Sequence, residues 1–201
     1  LTLSEFDGER IEANGDFTLK LIGKSTMHLS GQGAKGLCTH YNDGTITIEN
    51  SGYFGALDSL TFDCTNVNGD HIISACKVVH NSGKIYLNCN QTEDGLGRVY
   101  GPYCNSGYNM YNKASLEINM NSNYASSSLE GTATIDCHGE NTVKVTVNGI
   151  SNSCGIGGLY IEEGSTAKVT VDVQDSNPDP VYATYAIEGL YRIGSTGTLT
   201  V

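Results

Sequence analysis

The stretch Glu188-Gly189-Leu190-Tyr191, continued by Gly194-Ser195-Thr196 and then by Thr198-Leu199-Thr200-Val201, repeats an earlier one. The earlier copy runs Gly158-Leu159-Tyr160, then Gly164-Ser165-Thr166, then Lys168-Val169-Thr170-Val171. Both pass from a glycine through Leu-Tyr and a polar turn into a strand whose apolar residues alternate. Toward the N-terminus the copies drift. Gly131 leads to Lys144-Val145-Thr146-Val147, and Gly101 with Tyr103-Cys104 leads to Leu116-Glu117-Ile118. Ala75-Cys76 leads to Ser82-Gly83 and Ile85-Tyr86-Leu87, and Gly36-Leu37-Cys38 leads to Gly44 and Ile46-Thr47-Ile48. Gly8 leads to Gly15 and Leu19-Lys20-Leu21. The strands end at positions 21, 48, 87, 118, 147, 171 and 201, about 30 residues apart. The longest interval carries an extra strand, Leu60-Thr61-Phe62-Asp63-Cys64.

A period of two rules out helix-pair repeats. This spacing predicts an all-β, single-stranded right-handed parallel β-helix, a solenoid of about six to seven irregular coils with two or three short strands per coil. Alternate residues of each strand point inward, so Ile85, Leu87 and Cys89 are expected to stack over Leu116, Ile118 and Met120, and these in turn over Val169, Val171 and Val173. One coil cannot bury its own apolar face, and its neighbours must cover it. Residues 1–201 read as a single domain of a longer surface protein, interrupted by loops at 90–115 and 174–185. The terminal strand shows no cap, so unpaired edge groups there predict end-to-end self-association.

Composition agrees. The chain has 25 Gly, 12 Tyr, only 3 Pro and no Trp. Thr, Val, Ile and Tyr suit a pleated, half-buried surface, and Gly suits tight corners. The net charge of -11 repels nucleic acid and anionic membranes, and no apolar run is long enough to cross a bilayer. The seven cysteines cannot all pair internally, and none forms C-x-x-C. They read as small core hydrophobes, with Cys38, Cys76 and Cys104 sharing a register with Tyr160 and Tyr191. The chain opens at Leu1 rather than at Met, as in a mature or trimmed chain, and its low charge density and Thr/Asn/Gly richness suggest a secreted or cell-surface location.

Phe17-Thr18-Leu19-Lys20-Leu21-Ile22-Gly23, Gly44-Thr45-Ile46-Thr47-Ile48 and Gly158-Leu159-Tyr160-Ile161-Glu162-Glu163-Gly164 resemble the repeats of secreted bacterial β-helix proteins. Among these the chain is similar to the gut-bacterial surface proteins described as carbohydrate-binding domain-containing. The resemblance spans most of the chain but rests on fold-determining phrases. It implies a parallel β-helix at a cell surface, with a glycan-binding or adhesive role, and it supplies no functional residue.

Two groups of residues are candidates for binding a polysaccharide or a host or cell-surface glycan. The first is an outward ladder read as Lys20, Thr47, Tyr86, Glu117, Thr146, Thr170 and Thr200, with Glu49, Asn88, Asn119, Asn148 and Asp172 following and Asp63 on the extra strand. Within it Tyr86, Asn88, Glu117 and Asn119 form the candidate patch; the ordinary alternative is a structural Asn ladder or strand-ending hydrogen bonds. The second is a tyrosine loop, Tyr100, Tyr103, Tyr108 and Tyr111, whose rings suit stacking on a pyranose. Its alternative is aromatics packed onto the solenoid side.

No catalytic residue is assigned. Asp94 with Arg98, or Glu162 with Glu163, are the available acidic combinations for a small β-helix polysaccharide lyase or hydrolase, but Arg is scarce and Glu162-Glu163 sits beside a turn. The five histidines lack zinc spacing, so no metal ligand is assigned; calcium at Asp175 and Asp179 is the one cofactor the chain suggests, against a solvated turn as the ordinary reading. Asn90-Gln91-Thr92 is a glycosylation sequon where the source modifies such sites. The leading expectation is a non-catalytic glycan-binding or adhesive module, with the lyase or hydrolase and a structural stalk as alternatives.

Overall fold

Period-two alternation becomes parallel pairing. In the computed structural model, which describes residues 1–51, 58–69, 71–94, 98–123, 129–150, 153–176, 184–194 and 196–201, the chain is an all-β parallel solenoid of about six turns. Each coil has three faces. Face one holds β1 (Thr2–Ser4), β4 (Phe17–Ile22), β7 (Thr45–Asn50), β10 (Lys77–His80) and β13 (Tyr108–Met110). Face two is an eight-stranded sheet of β2 (Asp7–Gly8), β5 (Lys24–Gln32), β8 (Ser59–Asn68), β11 (Lys84–Gln91), β14 (Ser115–Ser122), β16 (Thr142–Gly149), β18 (Lys168–Asp175) and β20 (Thr198–Thr200). Face three holds β3 (Ile11–Ala13), β6 (Leu37–Thr39), β9 (His71–Ala75) and β12 (Val99–Cys104).

In the later coils the corner between faces three and one disappears into continuous strands. β15 (Leu129–Cys137) pairs with β12 through its first residues and with β13 through its last. β17 (Cys154–Ile161) and β19 (Tyr185–Ile193) stack on it in the same way.

The core is a set of columns running along the axis. On face two Leu60, Ile85, Leu116, Val143, Val169 and Leu199 stand in one register column. A second column is Met27, Phe62, Leu87, Ile118, Val145 and Val171, all buried. Each such side chain stabilises the coil by roughly 1.5–3 kcal/mol. The stack of Ile85, Leu87 and Cys89 over Leu116, Ile118 and Met120 is present as expected, with Val143, Val145 and Val147 lying between it and Val169, Val171 and Val173.

Corners between faces one and two need tight backbone and local partners. Gly23 and Gly83 take positive φ there, 67° and 89°. The Gly23 N–H donates to buried Asp58 Oδ1 at 2.8 Å, and Ser165 Oγ donates to the Gly139 carbonyl at 2.7 Å.

Four expectations change. Leu19–Leu21 and Ile46–Ile48 lie on face one, whereas the "extra" strand Leu60–Cys64 is the true partner of Ile85–Cys89 on face two. Every face alternates with the same period, so alternation alone does not say which face a strand occupies. On β16 the register is shifted by two residues, placing Lys144 beside Glu117 and Thr146 beside Asn119. A shift of two preserves the in–out pattern and leaves no trace in the sequence. The segment 90–115 is largely regular, because it contains β12, β13 and the start of β14. Of the 174–185 loop, β18 extends to Asp175 and β19 begins at Tyr185, and 177–183 lie outside the described residues.

The cysteines are core residues, but not in one column. Cys38 pairs with Ser74, and Cys104 with Ala75, both on face three, whereas Tyr160 stands beside Asp136 on face one. All seven are free thiols and six are buried. Cys64 and Cys89 stack in register; their mutual hydrogen bond, and then burial, raise the Cys64 pKa. Burial pushes Cys137 up to about 12. Such thiols are protonated at neutral pH and act as packing groups.

Candidate functional site

Three glycines, Gly101, Gly131 and Gly155, stack on face three. A Cβ on Gly101 would overlap the Gly131 carbonyl oxygen, and one on Gly131 would overlap that of Gly155. A Cβ on Gly155 would stand 2.6 Å from the Ala186 carbonyl oxygen. On the inner side these positions meet face two, with Val145 Cγ1 at 2.8 Å from the Gly131 position and Val171 Cγ1 at 2.6 Å from that of Gly155. Glycine here lets the backbone of face three settle directly onto face-two side chains.

A groove of about 250 Å³ opens beside this column. Its walls come from β9, β12, β15, β17 and β19. His71, Tyr100, Glu130, Cys154 and Tyr185 form one register column along the axis. The His71 ring lies against both tyrosines, with centroid separations of 4.5 Å to Tyr100 and 4.3 Å to Tyr103. Tyr103 is 39% exposed at the rim. Thr132, Thr134 and Glu188 complete the polar lining. The buried Thr132 hydroxyl donates to the Pro102 carbonyl at 3.3 Å, which ties β15 to β12.

The electrostatics are acidic. Glu130 is raised above the ordinary carboxylate range by burial, opposed by Arg98, and raised further by Glu188. Cys154 is pushed up to about 12, first by burial and then by Glu130 and Glu188. The two carboxylates therefore share one environment. Among the described residues lining the groove there is no Lys or Arg. The arrangement offers a flat aromatic surface, hydroxyls, and two acceptor-only groups.

The sequence candidates divide among different places. Tyr100 and Tyr103 line the groove. Tyr108 is a core residue, 1% exposed, with its hydroxyl 3.1 Å from His80 Nδ1, so its ring presents no face to a ligand. The tyrosine-loop reading fails there because β13 is a strand that sets Tyr108 in register between the core residues Val78 and Ile135. Tyr111 sits at a corner, stacked on His138 with centroids 4.7 Å apart and an interplanar angle of 11°.

Tyr86, Asn88, Glu117 and Asn119 form a two-by-two patch on face two, away from the groove. Its bonding is largely internal: Asn119 Nδ2 donates to Asn88 Oδ1 at 3.2 Å, and Lys144 Nζ meets Glu117 Oε1 at 3.2 Å. One coil on, Asn148 Nδ2 donates to Asn121 Oδ1 at 2.9 Å. These are cross-coil Asn pairs in two neighbouring columns, and beyond Asn119 the first column continues to Thr146. Replacing Asn119 with Ala is expected to lower stability by about 0.5–1 kcal/mol in urea denaturation, the scale of one exposed hydrogen bond, and to leave ligand binding in the groove unchanged.

The other acidic combinations separate. Glu162 Oε2 lies 3.0 Å from His138 Nδ1, and Glu163 Oε2 lies 3.4 Å from Arg192. Asp175 accepts hydrogen bonds from the Ser153 N–H at 3.2 Å and from Thr184 Oγ1, while Asp179 lies outside the described residues. Among the described residues no group of three or more His, Cys, Asp or Glu is placed to hold a metal ion, and no helix is long and apolar enough to cross a membrane.

Sequence reading missed Glu130, Glu188 and His71 as site residues. One signal was present, and it points to Glu130. Tyr100-Gly101, Glu130-Gly131 and Cys154-Gly155 repeat a side chain followed by glycine, and the glycines mark where two faces touch. Glu188-Gly189 lies outside this register, with Gly189 opposite Gly158 rather than Gly155.

Compared with known proteins, the chain matches no family model, no curated protein and no solved structure.

Proposed function

We propose that this chain is a non-catalytic saccharide-binding module, a parallel β-solenoid acting in the extracellular space or at a cell surface and presenting the face-three groove to a glycan. The observation that carries the reading is the rim of Tyr103 and Tyr100 around His71, above the carboxylates of Glu130 and Glu188 and the Thr134 hydroxyl. A flat aromatic ring stacks on the apolar face of a pyranose, and carboxylates accept from its hydroxyls. A volume of about 250 Å³ is small beside the ~300–1,000 Å³ of drug-sized ligand sites and suits one sugar unit. The resemblance of the repeats to bacterial carbohydrate-binding surface proteins points the same way, as a fold-level analogy.

The test is a glycan array with the purified chain, with and without calcium, followed by calorimetry on the best binder. Tyr103→Ala is expected to weaken that binding about tenfold while leaving the thermal transition in place. If no glycan binds under either condition, the chain is a stalk or a protein-binding element and the groove carries no sugar.

One observation favours a second reading. Two carboxyl groups, Glu130 and Glu188, line the groove, and burial raises the first; a glycoside hydrolase uses such a pair, with Glu130 as acid and Glu188 as its partner. Release of reducing ends from the bound glycan, abolished by Glu130→Gln, would establish hydrolysis; unchanged glycan after prolonged incubation keeps the module non-catalytic.

A further inference from the structure

Resting on the saccharide reading, we propose that the groove selects an amino sugar carrying a free ammonium group, a hexosamine unit rather than an acetylated or acidic one.

The argument is one of charge. Glu130, half-buried, and Glu188, exposed, both line the groove, and among the described residues its lining contains no Lys or Arg. Arg98, just before β12, acts on Glu130 without lining the groove, so it offsets part of the negative charge and leaves the opening acidic. The whole chain carries a net charge of -11, so the long-range field has the same sign.

Three kinds of sugar meet this site differently. A uronate or a sulfated sugar brings another negative charge next to two carboxylates, and like charges at an interface are strongly disfavoured. A neutral or N-acetylated sugar makes hydrogen bonds but leaves the groove's negative charge offset only in part, by Arg98 from outside the lining. An ammonium on the ring brings a cation into this acidic lining, makes a charge-assisted hydrogen bond to a carboxylate, and keeps the ring free to stack on Tyr103. The tyrosine faces add attraction for the same cation. Binding it also relieves the repulsion that helps to raise Glu130.

The experiment is calorimetric titration of the full chain with four probes, at a pH where the sugar amine is protonated and at low salt. The probes are short oligomers of glucosamine, of N-acetylglucosamine and of galacturonic acid, and a short lysine peptide of matching charge. The expected result is glucosamine oligomers binding at least about tenfold more tightly than the N-acetylated ones, and no heat from the uronate. Glu130→Gln and, as an exposed-site variant that does not disturb folding, Glu188→Gln should each remove most of that preference, weakening the amino sugar far more than the N-acetylated one. Tyr103→Ala should weaken both neutral and amino sugars.

Equal binding of free and acetylated amines overturns the charge selection and leaves the saccharide reading standing. So does tighter binding of the uronate. A lysine peptide that binds as tightly as the amino sugar overturns it too, since the groove would then capture cations without reading a ring. No binding of these probes, together with a blank glycan array, overturns the saccharide reading itself.

Discussion

Gly131→Val unfolds the middle of the solenoid. A side chain at this position has no space on either side: its Cβ overlaps the carbonyl oxygen of Gly155 in the next coil and lies 2.8 Å from Val145 Cγ1 across the core. One obstacle is backbone and the other is a fully buried side chain, so neither yields by a rotamer change. Overpacking a well-filled core costs typically 1–3 kcal/mol. With backbone on one side, and two more carbons beyond Cβ, the cost here is expected to be about 3 kcal/mol or more. The check is urea denaturation of Gly131→Val beside Thr170→Val, which places a valine on the outer side of face two in place of another β-branched residue and should leave stability nearly unchanged.

Because each coil touches only its neighbours, the damage should also be local. Hydrogen exchange is expected to rise in β12, β15 and β17 while β4, β5, β7 and β8 keep their protection. The same segments wall the groove, so saccharide binding should fall with them. A stability within about 1 kcal/mol of the parent chain would show that faces two and three do not press together at the glycine column.

That glycine column shows how far the sequence could be read. The solenoid and its inward stack were legible at Ile85, Leu87 and Cys89 because a strand with one buried face must alternate, and repetition must supply its cover. The identity of each face was not, since Leu19-Lys20-Leu21 and Leu60-Thr61-Phe62 carry the same pattern on different sheets. The two-residue shift that sets Lys144 beside Glu117 was equally silent. For the site, aromatic character made Tyr100 and Tyr103 visible, and the same criterion wrongly included Tyr108, whose burial depends on which residues of β13 turn inward. Glu130 and Glu188 stand far apart in the chain and come to line one groove only through stacking of coils, which no local pattern records. Buried polar positions were the hardest of all, and His80 is the clearest case.

His80 occupies a core position in the column Leu19, Ile48, His80, Met110, Cys137 and Ile161, where every neighbour is apolar or a thiol. It is fully buried, and burial lowers its pKa to about 4, with the backbone at Gly83 and Ser82 opposing part of the shift. Its Nδ1 meets the Tyr108 hydroxyl at 3.1 Å, and its Nε2 makes no hydrogen bond among the described residues. In the unfolded chain the same imidazole titrates near 6.5. Above that pH it is neutral in both states and the protein has its full stability. As the pH falls from about 6.5 to about 4 the unfolded chain takes up a proton that the folded chain refuses, so stability is lost across that window. Below about 4 both states are protonated and this loss levels off. The whole effect is about 3 kcal/mol, a large share of the stability of an ordinary domain.

Glu130 and Asp136, whose pKa values are raised by burial, act in the opposite sense: each binds its proton more readily when folded and gains stability as the pH falls. The measurement must therefore be a difference between variants. His80→Leu combined with Tyr108→Phe removes both polar partners together and leaves no orphaned hydroxyl. Urea midpoints for this double variant and the parent should be close at pH 7.5 and should separate steadily toward pH 4, with the parent falling behind by about 3 kcal/mol. Parallel pH profiles would mean that His80 is reached by solvent and protonates in place, and the closed core at β10 and β13 would have to be abandoned.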